Sequence, residues 1–156
     1  MASRETREKP KKACGASKPR APVRVTQVRP AGDQHQVVTV TGGRGLYRRK
    51  PCATCPWRVD ATGTFPAEAF RHSAGTAYDM STHTFACHES GTAKPAVCAG
   101  FLLRAHHNMA VRLGAINGKY ALDEIEEGDA ALFEDYRAMA IANGVDPDDP
   151  AIQPCR

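Results

Sequence analysis

The feature that most constrains this chain is a set of four cysteines: Cys52-x-x-Cys55, then Cys87 followed at once by His88, then Cys98. A C-x-x-C turn sets two thiolates on one side of a tight loop, a spacing suited to sharing a metal, and two further sulfurs complete a tetrahedral shell. A metal held in this way ties an early loop to the start of a later element. Only 6% of the residues are aromatic, so such a cross-link is expected to supply much of the folding free energy. Structural zinc sites contribute roughly 10–16 kcal/mol of apparent binding. His88 and His83 stand as substitute ligands on the same stretch of chain.

Zinc is the expected occupant, because it is the commonest ion in a closed shell of four cysteines or of three cysteines and a histidine. A 4Fe–4S cluster is the alternative, since it also takes four cysteines and Cys55-Pro56 matches the Cys-Pro step of ferredoxin motifs. The bland reading is that some of these residues are small buried apolar groups. A thioredoxin-like dithiol fits poorly: YRRKP precedes the first cysteine where a hydrophobic strand is needed, and Pro56 stops a helix from running on from the pair. Cys14 and Cys155 lie near the ends of the chain and need not belong to the centre, although Cys155 has room to fold back onto it.

Compartment decides between metal and disulfide. The chain has 156 residues, enough for one domain with a modest core. No run approaches the roughly 18 apolar residues of a membrane span. The opening MASRETREKPKK is charged and lacks the apolar stretch of a secretory signal. A cytoplasmic protein without membrane contact is therefore expected, and in a reducing cytosol clustered cysteines point to metal or redox chemistry.

The net charge of +4 conceals an asymmetry. Residues 1–50 hold 13 Lys and Arg against 3 Asp and Glu, whereas the remainder holds 8 against 14. The first 22 residues contain no large apolar side chain after Met1, and cannot bury enough surface to offset the entropy of ordering. They are expected to form a disordered basic arm. Clustered Lys and Arg there are a candidate contact for nucleic acid through counterion release from phosphate. Tyr47 is the only aromatic residue in residues 1–50, so stacking platforms for single strands are lacking.

The rest divides into a hairpin and basic linker at 23–50, a cysteine-rich metal-binding domain at 51–145 and an acidic tail at 146–156. Residues 23–28 alternate apolar and polar, and QVVTVT at 36–41 is β-branched, so two strands with a PAGDQ turn between them are predicted. Pro66 marks a helix start, and AEAFRHSA continues it for two turns. THTFAC at 82–87 reads as extended. From Cys98 a helix is predicted through Leu102, Ala105, Met109 and Leu113, with Gly114 as its stop. A last helix is predicted with Asp129 as N-cap, one face made by Leu132, Phe133, Tyr136, Met139 and Ala140, and Gly144 at its end. The fold class is α+β: a small metal-stabilised domain with a short N-terminal β-hairpin and two to three helices.

Several other residues invite a functional reading. Trp57 is expected to shield the metal from water. Arg58 is either a donor to a thiolate or a solvated cation. His106, His107 and Asn108 fall mid-helix in this reading; adjacent helical residues diverge by about 100°, so the two histidines are placed at the surface rather than on one ion. No nucleophile–base pair or phosphate loop marks an enzyme.

CATCPWR at 52–58, FACHESG at 85–91 and CAGFLL at 98–103 occur together with FPAEAF, LFEDYRAMA and a closing CR. On these motifs the chain resembles an uncharacterised family of small proteins found in actinobacteria, their phages and integrated mobile elements. The resemblance runs from about Pro51 to the C-terminus and leaves the basic arm outside. It implies that Cys52, Cys55, Cys87 and Cys98 are the shared motif, in a bacterial or phage setting. It carries no activity. The expectation is a metal-binding accessory or regulatory module that contacts nucleic acid or protein. An iron–sulfur protein that senses redox state or transfers electrons is the alternative.

Overall fold

A computed structural model describes residues 21–156. Cys14 and nearly all of the basic arm expected to be disordered lie outside the described residues. The described part is α+β. Two strands, β1 (Arg24–Pro30) and β2 (Gln36–Thr41), form an antiparallel hairpin. Its turn falls at Ala31–His35, where the Ala31 N–H donates to the His35 carbonyl at 2.8 Å. The register slips once between Val25 and Gln27, and Val25 and Val28 are about half exposed.

A second, smaller pairing is the one that matters for the cysteines. Strand β3 (Leu46–Tyr47) runs parallel to β4 (Ala96–Val97), and the Arg48 N–H extends the contact to the Val97 carbonyl at 2.9 Å. On the far side of β4, Ala86 bridges Val97 in antiparallel fashion. Cys87 N–H donates to Ala96 O at 2.7 Å and Cys98 N–H to Phe85 O at 2.9 Å. Residues 82–87 thus reach the extended state expected of them in their last three positions. The buried pair Ala96 and Val97 is the centre of a three-stranded nucleus from which the cysteine segments leave.

Four short helices surround it: α1 (Ala67–Ser73), α2 (Ala99–Arg104), α3 (Met109–Ile116) and α4 (Tyr136–Ala142). Pro66 takes the N-cap position of α1, with the extended backbone that a proline favours. The single helix expected from Cys98 to Gly114 is two helices. It breaks at Ala105 (φ −95°, ψ 42°), and Asn108 caps α3 by accepting from the Val111 N–H at 3.1 Å. Asn108 is fully buried, and its side-chain amide donates to Thr76 O (2.9 Å) and His83 O (2.7 Å). These tertiary bonds outweigh continuation of the helix, so the His106-His107-Asn108 run is a corner and not a mid-helix segment. Gly114 does not end α3. It lies inside it because the Tyr120 ring packs on its Cα, where a Cβ would come within 2.4 Å of the ring.

The last helix also starts later than the sequence predicts. Val59 N–H donates to Ala131 O and Phe133 N–H to Trp57 O, both at 2.9 Å, and Leu132 bridges Arg58. Residues 131–133 are therefore held extended against the chain that follows the cysteine pair. Asp135, not Asp129, is the cap and accepts from Ala138 N–H at 2.7 Å. Asp129 instead faces Arg58 at 3.8 Å. Beyond Gly144 the closing segment turns back into the core: Ile152 is fully buried, and the Arg156 N–H reaches Ala77 O at 3.2 Å.

The core is built around Trp57, which meets Phe85, Phe101 and Tyr136 at ring-centroid distances of 6.1, 6.3 and 5.9 Å. Phe70, Leu102, Met139 and Ile152 complete it. Full burial of a side chain of this size is worth about 1.5–3 kcal/mol. The tryptophan is therefore the hydrophobic centre of the fold as much as a neighbour of the cysteines.

Candidate metal centre

The Cys52–Cys55 segment is a tight turn, closed by a hydrogen bond from Cys55 N–H to Cys52 O at 3.1 Å and continued by one from Arg58 N–H to Cys55 O at 2.9 Å. Pro56 between them has no N–H to leave unpaired. The ten residues separating Cys87 from Cys98 form a loop returning to the same ladder. A 3₁₀ turn at His88–Ser90 starts that loop. Ser90 Oγ donates to Cys87 O (2.7 Å) and accepts from Ala96 N–H (3.0 Å), which staples its two ends. Gly91 follows at φ +64°, a left-handed conformation that suits glycine.

These local devices bring all four predicted cysteines into one cluster of two close pairs. Cys55 Sγ lies 3.5 Å from Cys98 Sγ, and Cys52 Sγ lies 3.9 Å from Cys87 Sγ. All four are free thiols. Cys55, Cys87 and Cys98 are buried, whereas Cys52 is half-buried and faces the rim.

The thiols act on one another. The hydrogen bond from the Cys98 thiol holds Cys55 below the usual thiol range, and the same interaction, reinforced by burial, holds Cys98 well above it. Burial, followed by the neighbouring Cys87, pushes Cys52 up. A divalent cation bound to these sulfurs would displace their thiol protons.

His88 sits at the rim. Its Nδ1 is 3.9 Å from Cys52 Sγ, its Nε2 is 2.8 Å from Thr54 Oγ1, and the Phe65 ring meets it edge-on at 5.1 Å. Cys52, His88 and Glu89 each offer one ligand atom, and these lie within 4.8 Å of one another. Burial holds the His88 imidazole below its ordinary pKa. His83 is exposed, and its backbone joins Ser81 and Asn108.

Arg48 lies beside the cluster. Its guanidinium pKa is raised chiefly by interaction with Cys87, with further support from Cys52 and Glu89. Arg58, the cation singled out in the sequence, instead grips Asp60 through two bonds of 2.8 and 2.6 Å. Cys155 is buried with its thiol directed to Ala74 O at 3.5 Å, and burial pushes it up to about 12. Sequence reasoning missed Arg48, Thr54 and Ser90. The signal for Arg48 was the RRK run at 48–50, read only as a linker charge. Nothing local marked Thr54 or Ser90.

The chain belongs to a family of unknown function, DUF6283, whose model matches residues 47–156. The match begins at Tyr47, so it includes Arg48 as well as every cysteine of the cluster. No curated protein and no solved structure matches the chain. Among the described residues, no helix is long and apolar enough to cross a membrane.

Proposed function

We propose that this chain is a small zinc-binding protein whose four cysteines, Cys52, Cys55, Cys87 and Cys98, hold one structural ion. The observation that carries the reading is the pair of sulfur separations, 3.5 Å for Cys55–Cys98 and 3.9 Å for Cys52–Cys87. A Zn–S bond of about 2.3 Å in a tetrahedral shell sets neighbouring sulfurs about 3.8 Å apart. In a 4Fe–4S cluster each cysteine binds its own iron, so its sulfurs stand farther apart than ligands of a single ion. Each close pair fits two corners of a single-ion shell. Among the described residues, the donors found within 4.8 Å of one another are Cys52, His88 and Glu89, so binding one ion through four sulfurs draws the two pairs together.

Two further observations support it. The donors are three buried thiols and one half-buried thiol, with the Glu89 carboxylate beside Cys52 at the exposed edge, and a sulfur-dominated set suits a soft-ligand ion over magnesium or calcium. Arg48 beside Cys87 and Cys52 offsets part of the double negative charge of a four-thiolate zinc site. A structural ion here joins the turn at 52–55 to both strands of the 87–98 loop, and so locks the three-stranded nucleus. The role beyond folding is that of an accessory or regulatory module contacting nucleic acid or protein, and the motif resemblance supports only its bacterial or phage setting.

Elemental analysis with an absorption spectrum on protein purified without oxygen tests the assignment. About one zinc per chain with no visible absorbance is the expected result. Iron with sulfide and a broad visible band moves the reading to a redox-sensing or electron-transfer protein. A folded chain holding neither metal overturns it.

A further inference from the structure

The four sulfurs are not equivalent. Cys55, Cys87 and Cys98 are buried, while Cys52 is half-buried at the rim. Beside Cys52 alone stands a nitrogen donor, His88 Nδ1, at 3.9 Å. The imidazole is fixed from two sides. Thr54 Oγ1 engages Nε2 at 2.8 Å, and Phe65 meets the ring edge-on with centroids 5.1 Å apart. Phe65 is itself backed by His35 of the hairpin turn, at 5.9 Å. A hydrogen bond on one ring nitrogen with the other facing the site is the usual arrangement of a metal-ligating histidine, and here Nδ1 meets the Cys52 sulfur itself.

We propose that Cys52 and His88 are alternative donors at one corner of the centre, so that Cys52 can leave the ion for a soft electrophile while His88 keeps the shell closed. The inference rests on the zinc-site reading above. It assigns Cys52 as the reactive thiolate among the four ligands and His88 as the residue that keeps the metal in place when Cys52 departs. In the resting state zinc holds four sulfurs. In the exchanged state it holds Cys55, Cys87, Cys98 and His88 Nδ1, and the Cys52 sulfur is bound to carbon. With iodoacetamide as the probe, the Cys52 thiolate attacks the methylene carbon, the S–C bond forms, the C–I bond breaks and iodide leaves. His88 Nδ1 then takes the position that sulfur vacated. Nothing is oxidised or reduced: the attacking sulfur would already be a thiolate on zinc, and His88 would ligate through Nδ1 in the tautomer whose Nε2–H donates to Thr54 Oγ1, so that no proton moves.

The other three sulfurs lack this exit. Each is buried, so the electrophile cannot approach without opening the loop that Ser90 staples. Glu89 lies in the same rim group as Cys52 and His88. It is a further oxygen donor at the exposed edge, and the test separates it from His88.

Zinc-loaded full-length protein carrying Cys14→Ser is treated with limiting iodoacetamide, digested and mapped, with metal content measured on the intact singly modified species. The expected result is modification at Cys52 at least about tenfold faster than at any other ligand, with one zinc retained, following the usual size of effects at residues around a metal. His88→Ala should react at the same cysteine but lose its zinc on modification, whereas Glu89→Gln should retain it. Cobalt substitution gives a readout independent of reactivity: the thiolate charge-transfer band should fall by about one quarter in Cys52→Ser and shift with nitrogen ligation. Modification spread evenly over the four cysteines, complete protection, or zinc loss from wild type on modification of Cys52 each overturn the proposal. If unmodified wild type holds no zinc, the zinc-site reading fails, which is a distinguishable outcome.

Discussion

The α-carbon of Gly100 lies directly on the indole of Trp57: a Cβ at this position would come within 2.6 Å of Trp57 Cβ and 2.9 Å of its Cγ. Each partner stands two residues beyond a cysteine, Trp57 after Cys55 and Gly100 after Cys98, and those two sulfurs are 3.5 Å apart. The absence of a side chain at Gly100 lets the Trp57 side chain pack against α2 beside the buried thiol pair. Gly100→Ala is expected to destabilise the protein by about 1–3 kcal/mol through overpacking. Alanine's better helix propensity, about 1 kcal/mol, recovers only part of that. Urea unfolding of the two proteins checks it. An unchanged or raised midpoint would show that the indole can yield.

Asn108 does three jobs from a fully buried position, capping α3 and satisfying the carbonyls of Thr76 and His83. Asn108→Ala removes a cap worth about 1 kcal/mol. It also strands two acceptors, at about 1–3 kcal/mol for each that stays dry. A loss of about 3–7 kcal/mol is expected when both acceptors stay dry, readable as a fall in the thermal midpoint. A loss below about 1 kcal/mol would mean that water replaces the amide.

Arg71 and Asp149 join α1 to the closing segment at 2.6 Å. The Arg71 guanidinium holds the Asp149 carboxyl below the usual range. A depressed carboxylate stabilises the fold fully above its unfolded pKa, about 3.9, and the contribution disappears as pH falls through the lower folded value. Asp149→Asn should therefore be less stable than wild type at pH 7, and the gap should close as pH falls below about 4. Urea midpoints across that range read the difference. A gap independent of pH would assign the effect to packing.

Under the zinc-site reading, Arg48 balances charge at Cys87 and Cys52, with its Nε buried and unpaired among the described residues. Arg48→Met keeps the aliphatic stem and removes the cation. Zinc affinity in a chelator competition should drop roughly 10–100-fold, the usual range for residues that support a metal's ligands. Equal affinities would remove Arg48 from the account of the centre.

The sequence by itself determined the elements whose cause is local. The β-branched 36–41 run, the proline before Ala67 and the glycine after Asn143 each act within a few residues, and each marks the element or boundary found there. The candidate ligand set was legible for the same reason, since cysteine chemistry and the C-x-x-C turn need no distant partner to be recognised. Tertiary structure alone decided the rest. Which sulfur faces which depends on β4 pairing with residues 46–47 on one side and Ala86 on the other, a contact spanning about fifty residues of chain. The helix after Cys98 broke because Asn108 found carbonyls in two remote segments. The last helix began at Asp135 because residues 131–133 were already bound to 57–59. Hydrogen-bonding groups that meet a partner far along the chain override the local preference, and no periodicity within a segment records where that partner is.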